Sequence, residues 1–179
     1  MRINYFLCCL ALWGLGCKKE NLLLLPEKTH STVILTDSIP DGGWLKLHIK
    51  QDTSTIDETV LVFQHNASTY YSPQSDAIYF QGMGIASLSS LTADSIPCAI
   101  QTRPYKADLQ LKLRVGIRQS GDYNIGMSSL PAIPSDIKIL LVDSLRQDTT
   151  DLRVNNYSFS TAPISYGTPE SKRFKLLLR

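Results

Sequence analysis

The stretch ADLQLKLRVGIRQ, residues 107–119, decides the fold class. Leu109, Leu111, Leu113, Val115 and Ile117 alternate with Gln110, Lys112, Arg114, Gly116 and Arg118. Successive side chains of an extended strand point to opposite faces, so this segment buries one face and wets the other. Wound as a helix, the same apolar residues would scatter around the axis and form no single stripe. A strand is predicted here.

Working outward, the same period recurs. GWLKLHIK (43–50) places Leu45, Leu47 and Ile49 inside and Lys46, His48 and Lys50 outside. ETVLVFQ (58–64) and IKILLVD (137–143) are nearly continuous apolar runs, as central strands are. DAIYF (76–80), DYNIGM (122–127), NYSFST (156–161) and KRFKLLLR (172–179) complete the set. Turn chemistry falls between them in IPDGG, SPQSD, RQSGDY, PAIPSD and ISYGTPES. RQSGDY predicts a tight hairpin through Ser120-Gly121. No stretch carries a 3.6-residue period with a cap and a stop. About eight to eleven short strands without helices predict an all-β chain. The expected architecture is an antiparallel β-sandwich of jelly-roll or immunoglobulin-like type, with a closed barrel as the alternative. Outward Lys and Arg on the strands exclude a barrel that faces lipid.

The 179 residues suffice for one domain with a real core, and 43% hydrophobic against 19% charged residues is a folding composition. Net charge is +2 with the basic residues scattered, which argues against nucleic acid as the main partner. No run of eighteen apolar residues is present to span a bilayer as a helix.

Met1-Arg2 supplies a short positive start, and INYFLCCLALWGLG (3–16) is an apolar stretch of secretory-signal length. It ends in Gly16 before Cys17, Lys18 and Lys19. This boundary resembles the lipobox of bacterial lipoproteins, in which the cysteine is acylated and becomes the first residue. Gly14 and Gly16 supply the small residues the cut requires; Leu15 and Gly14 depart from the commoner order. The resemblance implies residues 1–16 as signal peptide, Cys17 as lipid-attachment site, residues 17–30 as tether and 31–179 as the single domain. An ordinary signal peptide with Cys17 incidental is the plainer reading. Of four cysteines, Cys8 and Cys9 fall in the removed segment, so Cys98 is left without a disulfide partner. Cys98 alternates with Ile96 and Ile100, which predicts a small core residue.

From about Glu58 to Leu178 the order of motifs resembles a β-sandwich module of secreted and surface proteins of Bacteroidota. That module often precedes the sorting domain of the type IX secretion system. The matching residues are VLVFQ, STYYSPQSDAIYF with its Asp-Ala, LQLKLRVGIRQSGDYNI, ILLVDSLRQDTTDL, the Tyr-x-Phe of NNYSFST, and the Arg-Phe of RFKLLLR. The resemblance implies an accessory or spacer module without catalysis. No sorting domain is expected after RFKLLLR, so a lipid on Cys17 would take over anchoring. Asp-Ser-apolar tripeptides, the Bacteroidota O-glycosylation pattern, mark Ser38, Ser95 and Ser144, although Asp-Ser also simply starts turns.

No Gly-x-Ser-x-Gly elbow, dense metal-donor cluster or phosphate-binding glycine loop is present, so no catalytic residue, metal or cofactor is expected. His30, His48 and His65 lie far apart and read as solvated surface residues. The expected function is a lipid-anchored, non-catalytic structural or interaction module at the outer membrane. Its expected partners are the membrane, through the anchor, and another envelope protein or a glycan. The alternative is a carbohydrate-binding lipoprotein that stacks sugars on Trp44, Tyr70 or Tyr71.

Overall fold

A computed structural model describes residues 39–130 and 132–179, and these form an all-β body. The expectations placed on residues 1–38, among them Cys17, His30 and Ser38, lie outside the described residues. The strands are β1 Trp44–Gln51, β2 Ser54–Phe63, β3 Ala77–Ile78, β4 Ala86–Leu91, β5 Pro97–Arg103 and β6 Leu109–Ile117. There follow β7 Gly121–Ser129, β8 Ile139–Asp143, β9 Asp148–Asp151, β10 Tyr157–Thr161 and β11 Phe174–Leu178. A 3₁₀ turn, Pro169–Lys172, leads into β11, with proline opening it.

All strands join one sheet in the order β10-β7-β1-β2-β5-β4-β6-β11-β8-β9, with β3 added beside β5. The sheet curls until it nearly closes into a barrel: the Tyr157 hydroxyl of β10 reaches Asp143 at the end of β8, far along the order. The apolar half of the alternation in β6 holds as read, with Leu109, Leu111, Leu113, Val115 and Ile117 buried and Gln110 and Lys112 exposed. Arg114, however, is half-buried, and Gly116 is buried on the face expected to be wet. The apolar residues of β6 meet Leu45, Leu47 and Ile49 of β1, Leu61 and Phe63 of β2, Leu141 of β8 and Leu176 of β11 in one continuous core.

Two expectations are corrected. The sheet is mixed, because β2 and β5 run parallel from Val60↔Ile100 to Phe63↔Arg103. A parallel pair needs a long crossover, and residues 64–96 supply it. RQSGDY is also not a paired hairpin. β6 is flanked by β4 and β11, and β7 by β1 and β10, so this turn arches between distant parts of the sheet. Period two fixes which side chains are buried but says nothing about which strand lies alongside.

One end of the core is polar. Asp143 is fully buried and receives a two-pronged contact from Arg173, Nε to Oδ1 at 2.8 Å and Nη2 to Oδ2 at 2.5 Å. Tyr157 donates to Oδ2 at 2.7 Å, and the backbone N–H groups of Leu145 and Arg146 donate to Oδ1. The guanidinium lies 4.9 Å from the Phe159 ring centre and 4.6 Å from that of Phe174. Those rings, 5.0 Å apart, stack on with Tyr157 and Tyr123. Thus the strand-ending Asp, the Tyr-x-Phe pair and the Arg-Phe pair converge on one buried point. Burial pushes the Asp143 carboxyl up, but Arg173, Tyr157 and the Arg146 N–H outweigh it and hold the group below its usual range.

Removing one member of a buried, hydrogen-bonded ion pair strands the other charge, at about 3–5 kcal/mol. Asp143→Asn should lower the unfolding free energy read from urea titration by that much without altering the fold. The double variant Asp143→Leu/Arg173→Met should recover most of the loss; equal destabilisation of single and double variants would refute the pairing argument.

Candidate functional site

Three segments converge at one end of the sheet. They are the β3–β4 connection (79–85), the end of β6 with Arg118, and the loop after β10 around Pro163–Tyr166. Paired backbone bonds between Ile117 and Ile164, 3.0 and 2.7 Å, fix the loop against β6, and Arg118 N–H to Ile85 carbonyl, 2.7 Å, fixes the connection. Between them lies a cleft of about 370 Å³ whose polar lining is Gln81, Arg118, Ser165 and Tyr166. Phe80 and Met83, from the β3–β4 connection, are 84% and 92% exposed.

Tyr166 is held rigidly. Its hydroxyl hydrogen-bonds Ser87 Oγ, and the Arg114 guanidinium sits 3.9 Å from its ring centre. Gly116 makes the approach possible, since a Cβ there would stand 2.7 Å from Ser87 Oγ and 2.9 Å from the ring. A glycine inside an otherwise strict alternation marks such a close approach, and it was the one sequence signal for this wall.

Behind the cleft, Asp57 ties β2 to β4 where no ladder joins them. Its Oδ2 accepts Leu88 N–H at 2.9 Å and the Tyr79 hydroxyl at 2.5 Å. Burial, then the bond to Asp57, then Tyr166 raise the Tyr79 pKa far above that of a free phenol, so this hydroxyl stays a donor. The arrangement offers hydrogen-bond donors and acceptors beside open apolar side chains, which suits recognition of a polar partner.

The residues singled out from sequence are not gathered here. Trp44 is half-buried at the start of β1, opposite Val62. Tyr70 is 62% exposed, while Tyr71 is half-buried and its N–H bonds Asp94. No ring pair among the described residues joins these three aromatics. Ser95 is exposed on the β4–β5 turn with φ 66°, and Ser144 is exposed on the β8–β9 turn. In both tripeptides the aspartate accepts backbone N–H groups. Asp94 receives Tyr71 N–H, and Asp143 caps its own turn. Cys98 is buried with its thiol pushed up to about 11, first by burial and then by Asp76 and Asp94. Among the described residues no group of three or more His, Cys, Asp or Glu is placed to hold a metal ion.

His65 is exposed as read, but His48 is not. It points away from the core, yet is only 3% exposed with neither ring nitrogen hydrogen-bonded. Gly126 makes room for it: a Cβ there would stand 2.7 Å from His48 Nε2 and overlap the Asn156 amide. Burial, then the Lys50 charge, lower its pKa below 6.5, with Glu58 opposing.

Gly116→Ala should push Tyr166 and Ser87 apart at about 1–3 kcal/mol, read as a fall in thermal midpoint that Gly116→Ala/Tyr166→Ala largely restores. The unfolded chain takes up a proton at His48 more readily than the folded one. Stability should therefore fall as pH drops from 6.5 toward the folded pKa, and His48→Gln should flatten that slope in denaturant titrations.

No curated protein and no solved structure matches the chain. A family described as a domain of unknown function (DUF8693) matches residues 36–177, from ahead of β1 into β11. The match covers most of the sequence, and the chain belongs to that family.

Proposed function

We propose that this chain is a lipid-anchored, non-catalytic interaction module of a bacterial outer membrane, of the kind found in Bacteroidota. One observation carries the reading: an apolar segment of fourteen residues ends in Gly16 at Cys17, with Lys18 and Lys19 immediately after. A thiol at that joint is where an acyl group would enter the bilayer while the lysines stay at its surface. Each buried methylene contributes about 0.8 kcal/mol, so two or more chains hold a protein stably.

The body suits a presenting role. We read the curled sheet as a sandwich, with β10-β7-β1-β2-β5 facing β4-β6-β11-β8-β9 and the β4–β5 turn as the corner. Supporting this, β4 and β5 pair only at Ser90↔Cys98 and Leu91↔Pro97, and the Phe159 and Phe174 rings pack across the interior. Such a body offers a rigid surface, and the cleft at Tyr166 is where a partner would be gripped.

A second reading, a glycan-binding lipoprotein, is favoured by Tyr70, whose open ring has the exposure that stacking on a sugar needs. A glycan array in which Tyr70→Ala removes a specific signal would select it over the first.

Cys17→Ser should move the protein from the membrane fraction to the soluble one and remove the acyl mass from its N-terminal peptide. Membrane retention with unchanged mass would overturn the anchoring.

A further inference from the structure

The register of β5 on β2 sets Gln101 beside Leu61 and Arg103 beside Phe63, so the end of β5 turns polar side chains toward the core. Arg103 is only 8% exposed. Its Nε is sealed without a hydrogen-bond partner, and no ion pair among the described residues includes it. Asp76 is the acid that acts on it, but both Asp76 oxygens accept backbone N–H groups, from Ser72 and Thr102, each at 2.8 Å. Burying most of a guanidinium without an acceptor is costly. Such a cation beside a cleft, with only its Nε sealed and its terminal nitrogens left to reach outward, is a candidate ligand site.

The ligand has a place to sit. Arg103 lines a cleft of about 190 Å³ together with Leu91, Thr92, Ala93, Gln110 and Lys112. None of these lining residues is an acid. The Thr92 hydroxyl is already paired with Ile96, which leaves the Arg103, Lys112 and Gln110 side chains as the donors of this cleft without a partner among the described residues. Lys112 stands directly opposite Lys175 in the β6–β11 register, a like-charge pair that repels until an anion arrives.

We propose that this cleft binds the phosphate group of free phosphate or of a phosphate monoester. The terminal nitrogens of Arg103 grip it from within, Lys112 supplies the second charge, and Gln110 closes the rim. Two cationic donors with no acid between them match a dianion better than a carboxylate, and the guanidinium plane suits a tetrahedral oxyanion. The cleft admits one phosphate group with its ester carbon. The inference does not depend on the anchoring proposal.

The test uses the full chain carrying Cys17→Ser, so that no acyl group contributes. Inorganic phosphate should shift the amide resonances of residues 91–93 and 110–112 saturably, and acetate should bind at least about ten-fold more weakly. Lys112→Gln should weaken phosphate binding roughly three-fold or more. Arg103→Met should abolish binding while the free protein melts no lower than before, because an unpaired buried charge has gone. If Arg103→Met does not fold, Lys112→Gln and Arg103→Lys decide the matter. Flotation with phosphatidylcholine vesicles, with and without phosphatidic acid, separates the sources. Arg103-dependent binding to the acidic vesicles assigns the phosphate to a lipid headgroup, and its absence alongside phosphate binding assigns it to a soluble ligand. No saturable shift, equal affinity for acetate, or unchanged affinity in Lys112→Gln would overturn the proposal.

Discussion

The ion pair between Asp143 and Arg173 is the constraint around which the rest of the body is arranged. It joins the end of β8 to the entry of its neighbour β11, and through the Tyr157 hydroxyl it ties both to β10 at the far end of the strand order. Hydrophobic burial alone would let facing strands slide, since one leucine face fits another in many ways. A carboxylate that accepts five donors admits one arrangement only. The aromatic rings around the guanidinium complete its solvation where water is excluded.

Side-chain polarity elsewhere follows from how strands meet. β4 is buried along its whole length, although three of its six residues are serines. The hydroxyls of Ser87 and Ser90 find carbonyls at Gly116 and Cys98, that of Ser89 is buried without a partner, and the Leu88 N–H finds the Asp57 carboxylate in place of a ladder partner. Of the buried polar groups left without partners, Ser89 on β4 and Gln101 and Arg103 on β5 lie on neighbouring strands, while His48 and Asn124 lie apart on the paired strands β1 and β7.

Much of the fold was legible in the residues. The alternation from Leu109 to Ile117 and from Leu45 to Ile49 gave strand identity and the buried face, because period two maps directly onto the pleat. Neighbour relations were not legible. The turn at Ser120-Gly121 carries hairpin chemistry yet arches, since local turn residues do not know which edges are already taken. His48 sits at an outward position, and only the missing side chain at Gly126, seventy-eight residues on, buries it. For the candidate cleft, Gly116 was the sole hint; Gln81, Arg118 and Tyr166 come from segments that read merely as connections.

The two rims of the sheet bear on how the protein behaves at high density. An unpaired strand invites another chain to dock alongside it, and molecules crowded on a surface meet such rims often. Here one terminal strand is the four-residue Asp-Thr-Thr-Asp of β9, with a carboxylate at either end and too few peptide groups to template a long ladder. Two copies brought β9 to β9 would confront like charges before any backbone bond could form, so this rim resists joining into a longer sheet.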